Sequence, residues 1–276
     1  MQHILFVGHS HLLMLIDALS LRSGGSGDVA PSGREMWSDA GVRSFDFDLS
    51  GGGAARSHCL LLGAFAPPFL RWDAETTPRV RSRYLCALDD AERLLEGRVD
   101  HVVSCLYGNE HSVFSLTEHE VPFDLVVDRS SGPVVRGVPG ERQILPVEVV
   151  RRELARLARP TAFTCEVLRQ RFPEARVSHL APPPPLASAE LITAEPELFR
   201  EVIDRFGLAP GPLRRAVHEL YLDELAALLC SIGVALVAPP PSATDADGYL
   251  VEELRAGATH ANAAYGSLVL DQVLAL

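Results

Sequence analysis

The chain has 276 residues, 47% of them hydrophobic, so one domain of ordinary size with a substantial core is expected. A formal net charge of −11 argues against nucleic acid or an anionic membrane surface as the main partner. All 25 basic residues are arginine, which excludes Schiff-base chemistry, a pyridoxal-phosphate lysine and a Walker A phosphate loop.

The first fourteen residues organise the rest. Residues 3–7 (HILFV) are a short apolar run and read as a buried strand. Gly8-His9-Ser10-His11 follows, and then an apolar run continues at helical spacing. This strand, turn and helix put the Ser10 hydroxyl at the carboxyl edge of a first strand, where open α/β sheets bind ligands. Residues 23–34 are rich in Gly, Ser and Pro and read as a loop. Residues 42–49 alternate and suggest a second strand, running into Gly51-Gly52-Gly53. That triple glycine is either a turn that lets a ligand approach the backbone or a plain flexible loop.

Residues 59–69 are apolar but broken by Pro67 and Pro68, and 80–95 carry leucines at helical spacing. Residues 100–106 are a clear buried strand that ends in Tyr107-Gly108-Asn109-Glu110-His111. The stretch 112–146 holds Pro122, Pro133 and Pro139 around a strand at 123–127. It reads as an irregular connection or as a covering lid. Helices are expected at 147–158 and 161–172, separated by Pro160, then a strand at 176–180. Helices at 196–206 and 212–232, a strand at 234–237 and a last helix at 260–276 complete the pattern. Alternating helices and strands predict a three-layer α/β/α sandwich, flavodoxin-like, with a parallel sheet of about five strands. No repeat or linker divides residues 1–276, so a single domain is expected, with 112–146 as its lid or insertion.

The five cysteines, Cys59, Cys86, Cys105, Cys165 and Cys230, form no Cys-x-x-Cys pair. They suit a reducing compartment better than a disulfide frame or a zinc site. The amino terminus lacks a basic leader, and no apolar run reaches membrane-spanning length. A soluble cytoplasmic protein is expected.

Ser10, Asn109 and His260 fall at strand ends or at the start of the last helix, edges that face one way in a parallel sheet. A serine needs a base to become a nucleophile, and a histidine within hydrogen-bond reach supplies one. An asparagine amide beside backbone N–H groups can hold a developing oxyanion. His9, His11, His111 and His179 are further candidates to line a pocket. No fixed ligand spacing supports a metal at His9, His11 and His111, and no cofactor is implied.

These residues carry a resemblance. Gly8-His9-Ser10-His11-Leu12 resembles the first block of the SGNH/GDSL hydrolases, usually Gly-Asp-Ser. Gly108-Asn109-Glu110 resembles their third block, Gly-x-Asn-Asp. Thr259-His260-Ala261-Asn262 resembles the fifth block, where the base histidine opens the last helix. The blocks come in the family's order and cover about a tenth of the chain. The resemblance implies Ser10 as nucleophile, His260 as general base, and an oxyanion hole of the Ser10 N–H, Asn109 and a second-block glycine, for which Gly52 is the candidate. The sequence departs from the pattern at His9, at Glu110 and above all at Gly257, where the family has its acid. Glu252, Glu253, Asp247 or a backbone carbonyl would then have to orient His260.

The function expected is cleavage of an ester of a small molecule or sugar. An acyltransferase using the same acyl-serine and a non-catalytic binding module without the acid are the alternatives. In each case the partner is a small molecule.

Overall fold

The computed structural model describes residues 2–23, 36–38, 42–48, 55–62, 69–72, 78–95, 97–126 and 142–276. Residues 24–34 of the loop expected at 23–34, the glycines 51–53 and residues 127–141 of the possible lid lie outside the described residues.

In chain order, β1 (Gln2–Gly8) leads through a 3-10 turn (Ser10–Leu12) into α1 (Leu13–Arg22). Then come β2 (Met36–Ser38), β3 (Val42–Asp48), β4 (Ala55–Leu62), β5 (Leu70–Trp72), β6 (Pro78–Val80) and α2 (Ser82–Leu94). The middle of the chain forms β7 (His101–Cys105), α3 (Glu110–Ser115), β8 (Phe123–Val126), β9 (Gln143–Pro146), α4 (Val147–Arg171) and β10 (Arg176–Leu180). The remainder forms α5 (Ala189–Ala194), α6 (Arg200–Phe206), α7 (Gly211–Ser231), β11 (Ala235–Val237) and α8 (Ala263–Ala275).

The main sheet has the order β11-β10-β7-β1-β4-β3-β2. Strands β4, β1, β7, β10 and β11 pair in parallel, a five-stranded parallel core as expected, but with β4 rather than residues 42–49 as its second strand in sequence. Taken in sequence, these strands have the order 2-1-3-4-5, that of flavodoxin-like sheets. Their apolar residues run almost unbroken because both faces are covered. Leu5, Val7, Leu60, Leu62, Val102 and Val177 face one core with α2, α4 and α7. Ile4, Phe6, Cys59, Leu61, Val103 and Cys105 face the other core with α1 and α8. The fold is therefore the expected three-layer α/β sandwich.

Several local expectations need correction. Strand β3 joins the sheet antiparallel to β4, and β2 antiparallel to β3. The connection at residues 49–54 is too short for a parallel crossover, which takes about a dozen residues or more. Pro160 does not divide the helical stretch, because α4 runs through it. An internal proline costs a helix roughly 3 kcal/mol. Here Val150, Leu154 and Ala158 before it and Cys165 and Leu168 after it all bury into one core, which outweighs that loss. The stretch expected as one helix at 196–206 is a 3-10 turn (Glu197–Phe199) followed by α6, and α5 precedes it. The last helix begins at Ala263 rather than at His260, because Asn262 caps it. Within the expected lid, β8 and β9 pair in parallel as a separate two-stranded sheet.

Two pairs of polar side chains meet inside the sheet. His101 Nε2 lies 2.8 Å from Ser178 Oγ, and His179 Nδ1 lies 3.2 Å from Ser104 Oγ. Burial, helped by the charge of Arg176, lowers His101 to about 4, and burial lowers His179 to about 3. Burial also lowers His218 to about 4. Each stays neutral in the folded chain but takes a proton at about pH 6.5 when unfolded. The unfolded state thus binds more protons below about pH 6.5, and stability falls there by up to about 1.4 kcal/mol per pH unit for each such histidine. Denaturant titrations from pH 7 to pH 4.5 are expected to show this steep loss. His101→Asn should reduce the slope of unfolding free energy against pH by roughly one proton's worth.

Candidate active site

Parallel order reverses between β1 and β7, which lie side by side with β4 beyond one and β10 beyond the other. Loops leaving such neighbours diverge and open a crevice at the carboxyl edge. Ser10 leaves β1 there, in the exposed first position of the 3-10 turn, and Asn109 leaves β7 as the N-terminal cap of α3. His260 reaches the same place from the segment before α8.

A cavity of about 310 Å³ fills the crevice. It is lined by His9, Ser10, His11, Tyr107, Asn109, Glu110, Glu197, Leu198, Phe199, Thr259 and His260. Three residues far apart in sequence form one hydrogen-bonded chain. Ser10 Oγ lies 2.8 Å from His260 Nε2. His260 Nδ1 lies 2.6 Å from Glu197 Oε1. Glu197 Oε2 in turn accepts from the Thr259 hydroxyl at 2.6 Å and from the Thr259 N–H at 3.2 Å.

The acid therefore comes from none of the expected places. Neither Glu252, Glu253 nor Asp247 bonds the imidazole; the Glu253 carbonyl instead accepts from Asn262 Nδ2 at 2.7 Å. Glu197 sits in the turn before α6 with a left-handed backbone (φ 54°), which costs a non-glycine residue about 1–2 kcal/mol. Its hydrogen bonds hold that conformation. Gly257, where the resemblance expects the acid, explains the substitution. Its φ is 126°, and a Cβ built there would lie 2.2 Å from Glu197 Oε1. The space a side chain at 257 would take is filled by the Glu197 carboxylate.

The backbone around His260 is pinned as well. Arg255 and Ala261 form a β-bridge, and Ala256 N–H donates to the His260 carbonyl at 2.8 Å. Arg255 also pairs with Glu195 at 2.8 Å, tying this segment to the Glu197 turn. Burial alone would raise the Glu197 carboxyl, but the hydrogen bonds from His260 and Thr259 prevail and hold it below the usual carboxylate value.

Asn109 Oδ1 accepts from Ser112 Oγ at 2.5 Å. With that oxygen committed, the group Asn109 offers a ligand is its Nδ2 amide. Glu110 is braced, its Oε2 accepting from Gly108 N–H at 2.9 Å and from the Tyr221 hydroxyl at 3.0 Å.

The histidines separate into two groups. His9 and His11 line the cavity. The His11 ring stacks on that of His260 with centroids 4.7 Å apart, and burial followed by the neighbouring histidines keeps it neutral. His111 lies off the cavity, packed on Tyr221 at 4.7 Å. His179 lies beneath Gly108, fully buried, and does not line the cavity. Among the described residues no group of three or more His, Cys, Asp or Glu side chains is placed to hold a metal ion. None of the described helices is long and apolar enough to cross a membrane.

Gly52 lies outside the described residues. The strand ends that flank it, Asp48 and Ala55, stand at the amino edge of the sheet, where Ala55 pairs with Gln2. The opposite end of β4, Leu62, stands at the edge that carries Ser10, and its backbone hydrogen-bonds His9.

No protein-family model matches the chain, and no curated protein matches it in sequence. Among solved structures, the chain is similar to the periplasmic domain of a lipopolysaccharide acetyltransferase from Salmonella ser. Paratyphi A. That match has a TM-score of 0.46 and 11% identity, over 100% of this chain and 83% of that one. It is also similar to a carbohydrate acetylesterase from Sinorhizobium meliloti, with a TM-score of 0.42 and 15% identity, over 100% of this chain and 99% of that one.

The fit of Glu197 over Gly257 is open to a stability test. Gly257→Ala meets both a carboxylate and an unfavourable φ, whereas Gly233→Ala, at φ 70° with nothing within 4 Å, meets only the φ. The first variant is expected to unfold several degrees lower than the second in a thermal melt, at about 2 °C per kcal/mol for a chain of this size. Equal melting temperatures would show that the carboxylate yields without cost.

Proposed function

We propose that the chain is a serine-dependent acyl-ester hydrolase of the SGNH/GDSL type, with Ser10, His260 and Glu197 as its triad. The observation that supports this reading is the unbroken hydrogen-bonded chain from Ser10 through His260 to Glu197 at the sheet's switch point.

The chemistry follows from that chain. Glu197 accepts a hydrogen bond from His260 Nδ1–H and so fixes the tautomer whose Nε2 lone pair faces the Ser10 hydroxyl. Ser10 Oγ attacks the ester carbonyl while its proton passes to Nε2. The carbonyl oxygen becomes an oxyanion held by the Ser10 N–H and the Asn109 Nδ2 amide. The C–O bond to the alcohol then breaks, and His260 gives the alcohol its proton. A water enters, loses a proton to His260 and attacks the acyl-serine. Ser10 leaves with that proton and the carboxylic acid is released. The imidazolium formed in each half-reaction is stabilised by the ionised Glu197 carboxylate.

For the backbone glycine of the oxyanion hole we propose Gly63, which follows Leu62 at the Ser10 edge, in place of Gly52, whose flanking strand ends stand at the opposite edge. For localisation we propose a reducing compartment, the cytoplasm. Cys86 and Cys230 are exposed free thiols, which suits thiols kept reduced.

The test is hydrolysis of a series of simple esters. Wild type is expected to turn over, and Ser10→Ala or His260→Ala to lower kcat by roughly 10³-fold or more, with the double variant no worse than either alone. Asn109→Ala should cost about 10²–10³-fold in kcat. Retention of activity by Ser10→Ala would overturn the reading. Adding an alcohol that captures the acyl group without slowing acyl-enzyme formation would identify a transferase with the same triad.

A further inference from the structure

Leu198 is 96% exposed, the most exposed of the large hydrophobic side chains among the described residues. It also lines the 310 Å³ cavity. A single exposed leucine needs no explanation by itself. The chain on either side of this one is held still. Glu197 before it is bonded to His260 and Thr259, and Phe199 after it is partly buried against the core that α1 and α8 share. The fold thus holds an uncovered apolar side chain at the mouth of the cavity.

The proton path decides which portion of a substrate meets it. His260 must hand its proton to the alcohol oxygen as the C–O bond breaks, so the alcohol lies on the His260 side and the acyl carbonyl toward Asn109. Leu198 directly follows Glu197, the residue bonded to His260, and on that ground is assigned to the alcohol side. Charge narrows the choice further. The described lining holds two carboxyl side chains, Glu110 and Glu197, and no arginine, so it offers an anionic alcohol no permanent positive charge.

We infer that Leu198 is a specificity-determining residue and that the substrate is an ester of an uncharged alcohol with an apolar portion, which covers this side chain. The inference rests on the ester-cleaving reading of the same site. Burying a methylene fully is worth about fourfold in kcat/KM, and a contact at an open rim gives a fraction of that.

The experiment compares methyl acetate, hexyl acetate and methyl hexanoate on wild type, Leu198→Ala and Leu198→Met. Within each protein the ratio of kcat/KM for hexyl over methyl acetate is read, so any change common to all esters cancels. Wild type is expected to favour hexyl acetate. Leu198→Ala should lower that ratio roughly tenfold, and Leu198→Met, which keeps the apolar bulk, should hold it within about threefold of wild type. The acetate of glycolic acid, whose alcohol portion carries a carboxylate, should be a poorer substrate than methyl acetate by at least about tenfold. An unchanged ratio in Leu198→Ala, or a change confined to methyl hexanoate, overturns the inference and leaves the hydrolase reading standing. A wild-type protein that cleaves none of these esters overturns both.

Discussion

Ser10 and Glu197 meet only through His260, and the order of the site depends on the 2.6 Å contact between that imidazole and the Glu197 carboxylate. The contact fixes three things together. It selects the tautomer that can accept a proton from Ser10, it holds the Glu197 backbone at positive φ, and it fills the space above Gly257. A carboxylate in such a pair is stable only while ionised, and its lowered pKa keeps it so at neutral pH. The two loops that bring the pair together are themselves cross-linked through Arg255 and Glu195. The site is thus braced by neighbours outside the hydrogen-bonded chain.

The sheet sets the place where this can happen. Its five parallel strands bury side chains on both faces, one set against α2, α4 and α7 and the other against α1 and α8. That leaves the carboxyl edge as a place where several loops converge on a crevice. Gly8 to Leu12 must turn sharply out of β1, and Tyr107 to Asn109 out of β7, with Tyr107 also at positive φ (61°). Strained backbone beside the switch point at Tyr107, and again at Glu197, marks a site held in shape by its surroundings.

Much of this is legible in the sequence, because the signals are local. A strand, a sharp turn and a helix around Ser10, and a buried strand ending at Asn109, depend on residues a few positions apart. Other expectations fail where local patterning carries less information. The alternation of residues 42–49 marks a strand but not its direction, although the short connection to Ala55 already excludes a parallel pair. Pro160 looks like a boundary, yet the apolar stripe continues in phase across it. His260 looks like the start of the last helix, although Asn262 is a better cap and does accept from Ala264 and Tyr265. Glu197 escapes a reading of the sequence altogether. It lies 63 residues from His260, in a stretch that reads as an ordinary charged helix, and only tertiary folding brings it near. The one sign is negative: the missing carboxylate at Gly257, with no other acid at a fixed spacing to replace it.

The most direct test of the account is the rate at which a fluorophosphonate forms an adduct, located by mass spectrometry, on wild type and on Glu197→Gln. An adduct on Ser10 is expected, with a rate lower by roughly 10²–10⁴-fold in Glu197→Gln, since glutamine keeps the shape but not the charge. Equal rates, or an adduct on another residue, would contradict it.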